Sequence, residues 1–328
     1  MDYPVPFFER KQDRIQCLIC PHKCLISEGK TGICRVRTVQ NNQLMVINYG
    51  EVTSAAVDPI EKKPLYHFKP GKNILSLGSF GCNMTCSFCQ NYEISQHRPK
   101  TDTLSIDELS EALASVENNA GIAYTYNEPL MWYEYVYDTA KELKRRNPDT
   151  SVVIVTNGYI NKEPLMKLLP YVDAMNIDLK GYSNRYYQKI CGAQLDPVLE
   201  TIRRANDYIH IEITTLLVTD EFDALEEVEQ IAQFLASINP DIPLHLSRYF
   251  PRYKMKNEAT NVDIMAQAVA VAKKYLNYVY IGNVAGADTN TYCPNCHERL
   301  IERHQYETRC LIHESKCPTC HIPIPIKL

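Results

Sequence analysis

The 328-residue chain is long enough for one large domain with small additions, or for two domains. Its 45% hydrophobic and 23% charged residues are ordinary globular values, and a net charge of −4 (35 Lys plus Arg against 39 Asp plus Glu) argues against a general nucleic-acid binder. No basic-then-apolar leader opens "MDYPVPFFERKQDR", and no apolar run nears the roughly 20 residues of a membrane helix, so a soluble cytoplasmic protein is expected.

Thirteen cysteines stand out. An odd count in a chain without a secretion signal argues against a disulfide framework, and the thiols are grouped, which reads as metal binding. The first group, Cys17, Cys20, Cys24 and Cys34, lies in residues 1–72, expected to form a cysteine-rich extension followed by a hairpin and an extended run. Four thiols in so short a stretch suit a zinc ion or an auxiliary iron–sulfur cluster. Zinc is the slight preference, because the spacing permits a closed tetrahedral site.

Residues 73–283 alternate apolar β-rich runs with amphipathic helical stretches. Strands are predicted over 73–80, 121–127, 151–158, 174–181, 210–218, 243–250 and 278–283. Between them, Ser105 and Glu108 form a capping box, and Asp196 with Pro197 marks another helix start. Further helical periodicity covers 223–239 and 261–276. This alternation implies a parallel sheet with right-handed crossovers, of the partial TIM-like (β/α)6 barrel kind, with a doubly wound open sheet as the alternative. In such folds chemistry gathers at the carboxyl ends of the strands. There stand "CNMTCSFC", "TYNEP", "TNG", "DLKG" and "SRYFPRYKM".

Cys82, Cys86 and Cys89 follow the first of these strands. Three thiolates suit an iron–sulfur cluster with one iron left free, and an open position marks a reactive centre. A zinc knuckle with Asn or His, or a cluster with a distant fourth Cys, is the structural alternative.

The tail, 284–328, holds "CPNCH" and "CPTCH", each of which satisfies the c-type haem pattern. Two haems would crowd a short segment with little apolar material, so the better reading is a two-knuckle ribbon. Cys293, Cys296, Cys317 and Cys320 would surround one zinc or rubredoxin-like iron. His297 and His321 replace the glycine usual after a knuckle. Cys310 is left as a free buried thiol, and Cys191 stands alone.

"CNMTCSFC" resembles the C-x3-C-x-aromatic-C motif of the radical S-adenosylmethionine (SAM) superfamily. The resemblance implies a [4Fe–4S] cluster on Cys82, Cys86 and Cys89 whose free iron is chelated by SAM. Reductive cleavage of SAM would then give a 5′-deoxyadenosyl radical. The rest of the central region is similar to the pyruvate formate-lyase activating enzymes. That similarity implies that Glu128 accepts hydrogen bonds from the SAM ammonium. Asn157 would contact SAM, Asp178 and Lys180 would face its carboxylate and ribose, and Phe88 would line the adenine side. Val155 departs from the acidic residue of those enzymes, which removes a ligand from any cation site there. Arg248 is a further candidate contact, whereas His245 on the same strand reads as structural.

Over nearly the full length, "CLICPHKCLISEGKTGICRVR", "SFGCNMTCSFCQNYEISQ" and the two C-P-x-C pairs resemble the radical SAM component of the AmmeMemoRadiSam system. AMMECR1-type and MEMO-type proteins and an external electron donor are the partners this implies. The substrate, protein or small molecule, stays open. The competing reading is a non-catalytic metalloprotein, either an electron carrier or a zinc-ribbon adaptor.

Overall fold

The computed structural model describes residues 3–221, 224–304 and 307–328. Its centre is an eight-stranded sheet whose strands lie side by side in sequence order. These are β1 (Ser54–Pro59), β2 (Asn73–Gly78), β3 (Asn119–Tyr124), β4 (Ser151–Thr156), β5 (Ala174–Asp178), β6 (His210–Leu217), β7 (Leu244–Arg248) and β8 (Val279–Gly282). β2 to β8 are parallel; β1 runs antiparallel along β2, so residues before position 73 form one edge of the sheet.

All seven predicted strands are present. Each stops two or three residues short of its predicted carboxyl end, or one short at β6 and β8, because the polar residues there turn out of the ladder. Near-continuous burial along β3 and β4 is what a parallel sheet covered on both faces requires. The helices α1 (Ile106–Ala114), α2 (Tyr133–Arg146), α3 (Lys162–Leu168), α4 (Asp196–Asn206), α5 (Ala224–Ile238) and α6 (Val262–Ala272) lie between the strands.

The capping box on α1 forms as expected: Ser105 accepts from the Glu108 amide, and Glu108 accepts from Ser105 N. α4 differs. Leu195 is its N-cap residue, and Asp196 already lies in the first turn, where its charge complements the helix dipole instead of capping. The first residue of the predicted 223–239 helix, Asp223, is outside the described residues. No helix among the described residues is long and apolar enough to cross a membrane.

The two ends carry small antiparallel sheets. Phe8–Lys11, Arg14–Cys17 and Leu25–Ile26 form one at the amino end; Tyr3–Pro4, Gln43–Val46 and Arg37–Gln40 form a second. Thr291–Tyr292, Arg299–His304 and Glu307–Cys310 form the carboxyl-terminal one.

Candidate functional site

A cavity of about 350 Å³ opens at the carboxyl end of the sheet. The loop after β2 brings Cys82, Cys86, Phe88 and Cys89 to its wall, and later strands contribute Glu128, Asn157, Asp178, Lys180, Thr214, Ser247 and Asn283. Cys86 is buried, while Cys82 and Cys89 are partly open.

These thiols are spread. A zinc ion at about 2.3 Å from each thiolate would hold them about 4 Å apart. Among the described residues, the group whose sulfurs all lie within 4.8 Å of one another is at the other end of the chain, and the triplet does not form one. The donor set fits a polynuclear cluster better than a single ion. Behind it, Cys191 is buried against Cys86. Its thiol bond to Cys86 holds that thiol low, while burial pushes Cys82 and Cys89 up. In sequence Cys191 carries no spacing signal; only the crossing of Thr85 N to Cys191 O (2.9 Å) and Ser87 N to Ile190 O (3.0 Å) puts it there.

Glu128 follows β3 and is 2% exposed. Its Oε1 accepts from Leu130 N (3.0 Å) and Thr156 Oγ1 (2.7 Å), and its Oε2 accepts from Asn157 N (2.8 Å). The carboxylate therefore caps the turn Pro129–Trp132 and also ties β3 to the end of β4. A carboxylate has about four acceptor positions, so these three donors leave one unused on a side chain that lines the cavity. Burial raises its pKa to about 7, against the pull of its donors.

Asn157 reaches the thiols. Its Nδ2 donates to Asn83 Oδ1 (2.9 Å) and lies 3.7 Å from Cys82 Sγ, an N–H···S contact of the kind that tunes a cluster. Its Oδ1 accepts from Tyr159 N (2.9 Å), so both ends of the amide are held.

Lys180 Nζ donates to Asp178 Oδ2 (2.9 Å), and the ammonium sits 5.8 Å from the Phe88 ring centre. Although burial opposes its charge, Asp178 and the Cys86 and Cys191 thiols raise its pKa, which keeps it protonated.

Arg248 is placed elsewhere. Its Nε donates to Thr260 O (2.8 Å), its guanidinium lies over Phe250, and it is not among the cavity-lining residues. His245 is buried and bonded to Glu212 Oε2 (2.7 Å), the structural role expected of it.

Sequence reasoning missed Lys62, Lys63 and Tyr126, which also line the cavity. Lys63 Nζ donates to Asp58 Oδ2 (2.7 Å), and Tyr126 donates to the same oxygen (3.0 Å). The lysines lie in "DPIEKKP" at the end of β1, which has no periodicity to flag them, while Tyr126 stands inside the "TYNEP" already noted for Glu128.

The tail thiols converge. Cys293 Sγ to Cys320 Sγ and Cys296 Sγ to Cys317 Sγ are each 3.5 Å, and all four sulfurs lie within 4.8 Å of one another. That is a single-ion arrangement. His297 and His321 adopt φ of 60° and 61°, so both knuckle turns form with histidine where glycine is usual. Cys310 is half-buried, not buried, and donates to Ile312 O (3.3 Å).

The N-terminal thiols Cys17, Cys20, Cys24 and Cys34 face one small cavity with Arg37. Arg37 is fully enclosed and donates to Glu134 Oε2 (2.6 Å).

Comparisons with known proteins agree with this geometry. The model of the radical SAM superfamily matches residues 77–235. An uncharacterized protein of Methanocaldococcus jannaschii is 42% identical over 98% of this chain and 98% of its own length. The pyruvate formate-lyase-activating enzyme of Clostridium pasteurianum is 22% identical over 59% of this chain and 82% of its own length. Among solved structures, a radical SAM methyltransferase from Sphaerobacter thermophilus shares the fold, with a TM-score of 0.50, 13% identity, and 70% and 71% of the two chains covered.

Proposed function

The chain belongs to the radical SAM superfamily, and from that premise we propose that it is a SAM-cleaving enzyme resembling the activating enzymes. Cys82, Cys86 and Cys89 would hold a [4Fe–4S] cluster with one free iron for SAM. The observation that carries the reading is one cavity lined jointly by three spread thiols, a buried carboxylate with a free acceptor position, and a protonated lysine. That nine of the lining residues come from β4 and the later strands or the turns after them also supports a sheet curved into a partial barrel, flanked by extensions at 1–72 and 284–328.

When bound, the cluster supplies the electron that cleaves SAM and so generates a hydrogen-abstracting radical. The protein's own residues bind and orient. Glu128 offers its remaining acceptor to the SAM ammonium, and Asp178 and Lys180 bracket carboxylate and ribose. Phe88 supplies an apolar face for adenine. Asn157, with its N–H directed at Cys82, acts on the cluster side more than on SAM. Walls that exclude water protect a radical from quenching. Tail residues Cys293, Cys296, Cys317 and Cys320 would form a zinc ribbon. The motif resemblance supports a place in the AmmeMemoRadiSam system, with AMMECR1-type and MEMO-type partners, an external electron donor, and a protein or small molecule as hydrogen source.

The experiment is anaerobic reconstitution followed by electron paramagnetic resonance with and without SAM, and assay of 5′-deoxyadenosine. A reduced cluster whose spectrum ignores SAM would overturn the reading. A carboxylate is needed at position 128, so SAM affinity should rise as pH passes through about 7. Glu128→Gln should flatten that rise and, by removing a charge-assisted bond of roughly 1.5–3 kcal/mol, weaken binding about ten- to hundredfold. Iron content should not change.

A further inference from the structure

We infer that Cys17, Cys20, Cys24 and Cys34 hold a second [4Fe–4S] cluster, closed by four protein thiolates, and not the zinc ion that their spacing suggests. The first ground is separation. A zinc ion needs all four thiolates about 4 Å from one another. The tail thiols meet that demand, with two sulfur pairs at 3.5 Å. The N-terminal thiols do not: among the described residues no three of them lie within 4.8 Å of one another. They nevertheless face one cavity, whose other walls include Ile19, Ile26 and Met131. Four converging but spread thiols call for a body that puts a different iron under each one.

The second ground is Arg37, which is 1% exposed and lines the same cavity. Only its Nη1 has a partner, Glu134 Oε2; Nε and Nη2 are buried with none. Buried guanidinium N–H groups are costly to leave unsatisfied. Its charge is balanced by Glu134, whose Oε1 is itself buried without a partner; the two guanidinium donors, on a side chain that lines the thiol cavity, stay open to an acceptor bound there. The sulfurs of a cluster on Cys17 and Cys34, the thiols whose charge acts on Arg37, supply one. Ile33 N, 3.5 Å from Cys24 Sγ, adds an N–H···S contact at the more open side.

This site adjoins the catalytic loop without belonging to it. His22 Nε2 is 2.7 Å from Asn83 O, and Cys34 O packs against Gly81, next to Cys82. The assignment does not depend on SAM chemistry, and the test keeps the two apart.

The full chain with Cys82→Ala, Cys86→Ala and Cys89→Ala is reconstituted anaerobically beside wild type. The expected result is about eight cluster irons in wild type and about four, with matching sulfide, in the triple variant, whose reduced spectrum ignores SAM. Conversely, Cys17→Ser with Cys34→Ser should lose about half the cluster iron and keep the SAM response. Arg37→Gln should keep the iron and shift the second cluster to a more negative midpoint potential. Zinc in place of iron in the triple variant, or only two irons, would overturn the inference. Loss of the SAM response in wild type with four irons retained in the triple variant would overturn the proposed function alone.

Discussion

Each end of the chain carries a set of four grouped cysteines, and the two ends arrange them in opposite ways. At the carboxyl end the thiols touch, and they sit in a small apolar shell of their own with Leu300, Ile301, Ile312, Ile324 and Ile326. At the amino end the thiols stand apart, and Cys17, Cys20 and Cys34 belong to the main core together with Trp132, Tyr133 and the sheet. One module has an apolar shell of its own and meets the rest through bonds such as Arg303 Nη2 to Tyr66 O (2.7 Å); the other is a wall of the main core. Cysteine count therefore sets neither metal nor role. Thiol separation, and whose core the thiols share, distinguish the two ends.

The largest effect should come from emptying the carboxyl-terminal module. Cys317 is fully buried, and Cys317→Ser should abolish metal binding by the tail thiols, which in such modules contributes on the order of 10 kcal/mol. Metal analysis and hydrogen exchange should show residues 291–328 opening while the central sheet stays protected. Loss of protection in the sheet as well would mean that the tail is not independent.

At the other end, Arg37→Met would leave Glu134 buried without its cation, a cost of about 3–5 kcal/mol. Chemical denaturation should show module and sheet failing in one transition. A separate early transition of the amino-terminal strands would break the contrast.

The joints of the two modules differ too. A Cβ at Gly81, where φ is +90°, would lie 2.5 Å from Val36 Cγ1 and 2.8 Å from Cys34 O. At Gly286, with φ of +75°, a Cβ would meet nothing within 4 Å. Gly81→Ala should cost about 1–3 kcal/mol beyond the left-handed penalty, whereas Gly286→Ala should cost only that penalty, about 1–2 kcal/mol. Paired thermal melts measure the difference; equal shifts would mean that the amino-terminal module is not wedged against the cysteine loop.

The smallest effect concerns the knuckles. His297→Gly and His321→Gly relieve a left-handed backbone but loosen the unfolded chain, so each should change stability by less than about 1 kcal/mol and retain the metal. A large loss would show that the imidazoles do more than occupy the turn.

Much of this was legible in the sequence, because much of it is local. Alternation of apolar runs and amphipathic stretches fixed the strand order, since consecutive parallel strands joined by helices lie side by side. Spacing grouped the thiols, because residues two or three apart share a turn. Ser105 and Glu108 announced a helix start for the same reason.

Only the tertiary structure decided what lies between groups far apart in the chain. Arg37 meets Glu134 across 97 residues, Cys191 settles behind Cys86, and Lys63 reaches the cavity from the far side of β2. It also withdrew Arg248 to Thr260 and gave Asn157 to the cysteine loop. The spacing of the N-terminal cysteines could not reveal how far apart their sulfurs stand, because that distance is set by packing against the core. A local motif specifies which side chains arrive together; how closely they approach, and which charge faces them, depends on every element that shares their core.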